Sequence, residues 1–141
     1  MRTVAPLALV CIAATAGPAG ADISVIVSKD SEVRQLSPAE VSNLYLGRGR
    51  TSGKFPRFLI LERPRDSDVR RRFFKRLTGM DLQQVDTTWA RLQFSGEAFP
   101  PTPLREDAQV IEALRFYPDA IGYVDSGSLD TSVREILRIK E

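Results

Sequence analysis

The sequence predicts an α/β fold: one domain with a mainly parallel sheet flanked by helices. Three observations predict it. Short β-branched runs alternate along the chain with longer stretches of helical period. The 141 residues, less a removable leader, suit a single domain. An apolar fraction of 43% supplies a core, while 27% charged residues supply a solvated surface.

Residues 1–21 stand apart as the leader. Met1-Arg2-Thr3 carries a positive charge, Val4 to Ala16 is almost wholly apolar, and Gly17-Pro18 breaks the run. Ala19-Gly20-Ala21 then offers small residues at the positions a signal peptidase reads. This pattern predicts a secretory signal peptide cut between Ala21 and Asp22. Residues 22–141 would be the exported domain, periplasmic or secreted. The apolar run is shorter than the roughly 20 residues needed to cross a bilayer, so no span is expected in the mature chain. Cys11, the sole cysteine, lies inside the leader behind Val10, where a lipoprotein signal usually has a small residue. Removal is therefore expected rather than lipidation.

The mature elements follow in order. Ile23–Ser28 is a β-branched apolar run and reads as a buried strand. At Leu36-Ser37-Pro38-Ala39-Glu40 a helix starts, with Ser37 as N-cap, Pro38 at the first position and Glu40 completing a capping box. Val41, Leu44 and Tyr45 share one face of it, and Gly47 ends it. Arg48 to Pro56 is polar and reads as an exposed loop; Phe58–Leu61 is a second strand. Asp66 or Ser67 caps the next helix, whose core stripe is Val69, Phe73 and Leu77 and whose stop is Thr78-Gly79. Asp81–Phe94 continues as a helix with Leu82, Val85, Trp89 and Leu92 as its apolar set. Gly96–Pro103 holds three prolines and must be a loop. Asp107–Phe116 is a helix, Ala120–Val124 a third strand, and Val133–Ile139 a last strand or a short helix.

Composition excludes much chemistry. The whole sequence has no histidine, and the predicted mature chain has no cysteine. No Ser-His-Asp triad, Cys-His pair or His-based zinc site can be built. Carboxylate chemistry, Ser-Lys chemistry and binding without reaction remain. No catalytic residue, metal site or cofactor is expected, and the chain reads as a non-enzyme. Asp125 to Asp130 lacks the ligand spacing of a calcium loop and reads as a turn.

Charge is uneven. Residues 22–47 carry two basic and four acidic side chains, net −2; residues 48–76 carry eleven and three, net +8; residues 77–141 carry six and eleven, net −5. In the basic segment 48–76, Arg70-Arg71-Arg72 and Lys75-Arg76 form either the solvated side of an amphipathic helix with its preceding loop, or a face for an anion, an acidic protein partner or anionic lipid, as a secreted interaction or sensor module would use. Export disfavours nucleic acid as that partner.

Three motifs, in this order, resemble the periplasmic phosphate-binding proteins of ABC transporters, and more closely their small single-domain relatives. They are Leu36-Ser-Pro-Ala-Glu-Val-Ser-Asn-Leu-Tyr-Leu-Gly47, Arg63 through Phe73, and Tyr117-Pro-Asp-Ala-Ile-Gly-Tyr-Val124. The last is the most specific. Its plain structural meaning is a core strand with a small residue where another backbone packs closely. The resemblance spans nearly all of residues 23–139. It implies a single three-layer lobe of the type II periplasmic-binding-protein fold, similar to the second of that family's two lobes, and a small phosphate-like anion as ligand.

The resemblance also implies a candidate anion loop: Arg63, Arg65, Asp66, Ser67, Asp68 and Val69. In the family an arginine precedes serine-glycine-threonine by four residues and an aromatic by ten. Arg63, Ser67 and Phe73 keep those spacings, but Asp68 stands at the glycine and Val69 at the threonine. Asp68 adds bulk and a charge that opposes an anion, Val69 lacks a hydroxyl, and the Asp66 and Asp68 carboxylates themselves suit the positive end of the helix. The loop is expected to bind a small anion weakly or not at all, with Arg63 and Arg65 pairing with Asp66 and Asp68.

Overall fold

The computed structural model describes residues 21–48, 58–98 and 100–141. The predicted leader up to Gly20, the loop between Arg48 and Phe58, and Phe99 lie outside the described residues.

Four strands and four helices are described. β1 (Ile23–Ser28) is followed by α1 (Pro38–Tyr45), β2 (Leu59–Ile60), α2 (Asp68–Thr78), α3 (Leu82–Phe94), α4 (Asp107–Phe116), β3 (Ala120–Asp125) and β4 (Val133–Ile139). Each expected helix is present. Ser37 accepts from the Glu40 N–H while Glu40 accepts from the Ser37 N–H, so α1 has its capping box. α3 has the same device in Asp81 and Gln84. Gly79 ends α2 with φ of 75°. Gly47 follows α1 with φ of 73°, and a Cβ there would lie 2.6 Å from Leu92 Cδ1. The segment Val133–Ile139 is a strand, not a helix.

The sheet corrects one expectation. Its order is β2-β3-β1-β4, with β2 and β3 parallel but β1 antiparallel to both β3 and β4. It is mixed rather than mainly parallel. β1 is buried along its whole length and so reads like a parallel-sheet strand. Burial on both faces does not encode direction, however, and β1 lies between two strands that both run the other way. β2 is also shorter than the apolar run Phe58–Leu61 that marks it.

Helices cover both faces. Ile23, Val25 and Val27 of β1, with Ile121 and Tyr123 of β3, pack under Tyr45, Phe73, Phe74, Val85 and Trp89 of α1 to α3. Ile26 and Val124 instead face Val110, Ile111 and Leu114 of α4. This alternation is the period-two signature of strands sandwiched between two helical layers. The Trp89 indole N–H donates to the Tyr45 carbonyl at 3.1 Å and ties α3 to the end of α1. Gly122 is required where α4 lies on β3: an added Cβ would meet Val110 Cγ1 at 2.5 Å. The close neighbour at this motif is thus a side chain of α4 and not the backbone expected there, because β3 is covered on this face by a helix. Among the described residues, no helix is long and apolar enough to cross a membrane.

Candidate functional site

The candidate loop connects β2 to α2. Ser67 is the N-cap, with extended backbone (φ −71°, ψ 133°) and an Oγ that accepts from the Arg70 N–H at 3.2 Å. This settles the cap on Ser67 and starts the helix at Asp68. Val69 is buried in the α2 core stripe. The residue that replaces a hydroxyl donor is therefore a packing residue here.

Asp68 projects into solvent, its side chain 66% exposed. It accepts from Arg71 at 2.5 Å and from Arg72 Nε at 2.8 Å, one turn along its own helix. The hydrogen bond from Arg71, then that from Arg72, hold its carboxyl below the usual aspartate range. The Arg72 guanidinium also reaches Asp125 at 2.8 Å, so Asp68 joins a chain of charges that ends at β3. Asp66 is exposed in the turn.

The arginines are placed differently from the expected pairing with Asp66 and Asp68. Arg63 points inward and is only 6% exposed. It donates to Asp107 at 2.5 Å, to the Arg105 carbonyl at 2.6 Å and to the Tyr123 carbonyl at 3.4 Å. Arg65 lies on the surface and pairs with Asp86 of α3 at 3.1 Å. The spacing motif orders these arginines along the chain but does not say which way each faces. The strand that precedes the loop turns Arg63 under the start of α4, away from the start of α2.

Sequence reading missed five participants. Glu62 is buried two residues past β2, where it bridges to Pro103, and accepts from the Tyr123 hydroxyl and, at 2.8 Å, from the Arg63 N–H. Burial raises its pKa, and those two hydrogen bonds together with the Arg70 charge pull it partly back. Arg70, expected on the solvated side, is 4% exposed. It donates to Asp86 at 3.0 Å and to the Arg65 carbonyl at 3.4 Å, and its guanidinium lies over the Phe74 ring at 5.3 Å. Asp107 receives Arg63 on one oxygen and the Ser128 hydroxyl, at 2.6 Å, on the other. A signal for Arg70 existed: it shares a helical face with Phe73, Phe74 and Leu77. Asp86, Asp107 and Tyr123 gave no such signal, because their partners are remote in sequence.

The basic segment is largely paired within α2. Arg70, Arg72 and Arg76 face Asp86, Asp125 and Glu141. Arg71, paired with Asp68, and Lys75, which donates to the Gly79 carbonyl at 3.2 Å, lie on the surface. A groove of about 390 Å³ lies beside α4, lined by Asp107, Ile111, Glu112, Arg115, Ser128 and Asp130 among others. No residue of the α2 start lines it, and its carboxylates outnumber its one guanidinium.

Two solved structures share this architecture. An ABC-type phosphate transport receptor from Vibrio cholerae superposes with a TM-score of 0.61 at 16% identity, covering 82% of this chain and 46% of its own. A phosphate ABC transporter substrate-binding protein from Clostridium perfringens, solved with phosphate bound, gives 0.63 at 17% identity, covering 82% and 45%. The chain has the fold of about half of a phosphate-transport receptor. It spans less than half the length of either relative. No family model and no curated protein matches the sequence. The fold class expected from the motifs, a single α/β lobe of the phosphate-binding-protein kind, is therefore the observed one, with the sheet direction corrected as above.

Proposed function

We infer that this chain is an exported, solute-binding-like module whose anion loop is closed by its own side chains. It would bind phosphate with a dissociation constant no better than roughly 1 mM, equivalent to about −4 kcal/mol. One observation carries the reading. At the start of α2, where backbone N–H groups could receive an anion, Asp68 is already held by Arg71 and Arg72, and Arg63 is turned away under α4, where Asp107 engages it. A unit like-charge pair at about 4 Å and an effective dielectric near 20 costs roughly 4 kcal/mol. Asp68 is exposed, so the repulsion it exerts on a phosphate is smaller than that. The shared fold supports a solute-binding origin, and the leader pattern supports export. No residue cluster described above assembles a nucleophile with a base, so binding is the favoured activity.

Calorimetric titration with phosphate tests this reading. The wild type should show little or no heat of binding. Asp68→Gly with Val69→Thr restores a serine-glycine-threonine helix start and should strengthen binding by about 1 kcal/mol, through removed repulsion and freed backbone N–H groups, since residue 69 faces the core. Micromolar phosphate binding by the wild type would overturn the reading. Export has its own check: the mature protein should begin at Asp22.

A further inference from the structure

The buried Glu62 carboxylate lies in a cradle of donors that do not depend on it for their positions. The Arg63 N–H approaches at 2.8 Å, the Tyr123 hydroxyl donates to the same oxygen, and Arg70 Nε stands 3.5 Å from the other oxygen. Arg70 Nε is buried and has no hydrogen-bond partner. It forms an ion pair with the carboxylate without completing a hydrogen bond. The rest of Arg70 is fixed by Asp86, the Arg65 carbonyl and the Phe74 ring. Tyr123 is fixed by stacking on Phe73, with centroids 3.8 Å apart and planes within 2°. The Arg63 backbone is held by its neighbours: the Leu61 N–H donates to Ile121, and the Glu62 carbonyl accepts from Leu104 at 2.8 Å. A charged pocket whose walls are held from outside stays in place when its occupant leaves.

We propose that this cradle is an anion site occupied by the chain's own carboxylate, and that it takes free acetate when Glu62 is cut back to alanine. The substitution removes one methylene and the carboxylate, which is the heavy-atom skeleton of acetate. It leaves a buried guanidinium, a hydroxyl and an amide N–H without their common acceptor, and such groups are costly to strand. The proposal does not rest on the α2 start. It concerns the residue before Arg63 and would stand even if the loop from Ser67 bound phosphate.

The test is thermal unfolding, followed by Trp89 fluorescence, of the wild type, Glu62→Ala and Glu62→Gln. Each is melted in sodium acetate and in sodium chloride at matched ionic strength and neutral pH. Glu62→Ala should melt below the wild type and rise saturably in acetate but not in chloride. At acetate ten times its dissociation constant, the folding equilibrium constant should rise about elevenfold. Wild type and Glu62→Gln, whose cradles are filled, should respond equally to the two salts. Adding Arg70→Met to Glu62→Ala should abolish the acetate response. If Glu62→Ala does not fold in chloride, it should refold in acetate. Equal behaviour of Glu62→Ala in the two salts, folded or unfolded, overturns the proposal, as does an acetate response that survives loss of Arg70.

Discussion

Glu62 and Asp68 lie six residues apart on one connection and have opposite surroundings. Glu62 is buried and held by the next residue's N–H, by Arg70 of α2 and by Tyr123 of β3. Asp68 is exposed and held by two arginines of its own helix. The first half of the connection is therefore a tie between sheet and helices, and the second half is a helix cap in water. Position in the low-dielectric interior, more than the number of charge partners, sets what each carboxylate contributes. Five arginines among three carboxylates look like one charged surface in sequence, but they divide between a buried half and a solvated half.

The largest test of this division is Arg63→Met against Arg65→Met. Removing Arg63 leaves Asp107 without its cation beside the start of α4. Breaking a buried pair costs roughly 3–5 kcal/mol, and Asp107 keeps some access to water, so about 3 kcal/mol is expected. Arg65 pairs from the surface, and its loss should cost less than about 1 kcal/mol. Urea unfolding of both variants checks the contrast. Equal losses would mean that the inward and outward arginines are energetically alike, and the comparison would fail.

Tyr123→Phe is the next test, confined to the buried half. It keeps the stacked ring and removes one donor to Glu62, with an expected cost of about 1–3 kcal/mol. It should also change the pH dependence. Burial gives Glu62 a raised folded pKa, so the protonated form is favoured on folding. Its contribution is full below the unfolded value near 4.3 and is lost as pH rises through the folded value. The Tyr123 hydroxyl holds that folded value down. Tyr123→Phe should raise it, so the variant loses more stability than wild type on passing from acid to neutral pH. Parallel pH profiles of unfolding free energy would show that the hydroxyl does not couple to Glu62.

These contrasts also mark what could be read from residues alone. The helices were legible, because caps, stops and apolar stripes are local: Ser37 with Glu40, Gly79 after Thr78, and Val85 with Trp89 and Leu92. The motif Ala120-Ile-Gly-Tyr-Val124 was legible as a buried strand with a close approach at Gly122, but what approaches is the Val110 side chain of α4, not a backbone. The direction of β1 was not, since strands buried on both faces look alike whichever way they run. The site was half legible. Ser67 capping α2 and an internally satisfied helix start follow from short-range chemistry. The partners of Arg63 and Arg65 do not, because Asp107 and Asp86 come from helices that the fold, not the motif, brings near. Arg70 is the instructive error: its triple-arginine context suggested a solvated face, whereas its spacing to Phe73, Phe74 and Leu77 placed it with the core.

The smallest expected effect belongs to Asp68→Asn. Exposed ion pairs are screened and typically contribute about 0.2–1 kcal/mol, and a carboxylate in the first turn of a helix adds a similar amount. The Asp68 folded pKa lies below its ordinary value, chiefly through the Arg71 hydrogen bond and then through Arg72. Its contribution is therefore present above the unfolded value near 3.9 and is lost as pH falls through the folded value. Asp68→Asn should cost about 0.5 kcal/mol at neutral pH and low salt. The difference from wild type should shrink with added salt, and should vanish at a pH below the folded value. Unfolding free energies over pH and salt series measure all three. The salt response separates the two halves most cleanly, because buried Arg63 is screened far less than exposed Asp68. A salt-insensitive loss above about 2 kcal/mol would place Asp68 with Glu62 in the interior network and remove the contrast. A small, salt-sensitive loss would leave Asp68 replaceable at little cost, which is the condition that makes Asp68→Gly with Val69→Thr a fair trial of whether the helix start can hold phosphate.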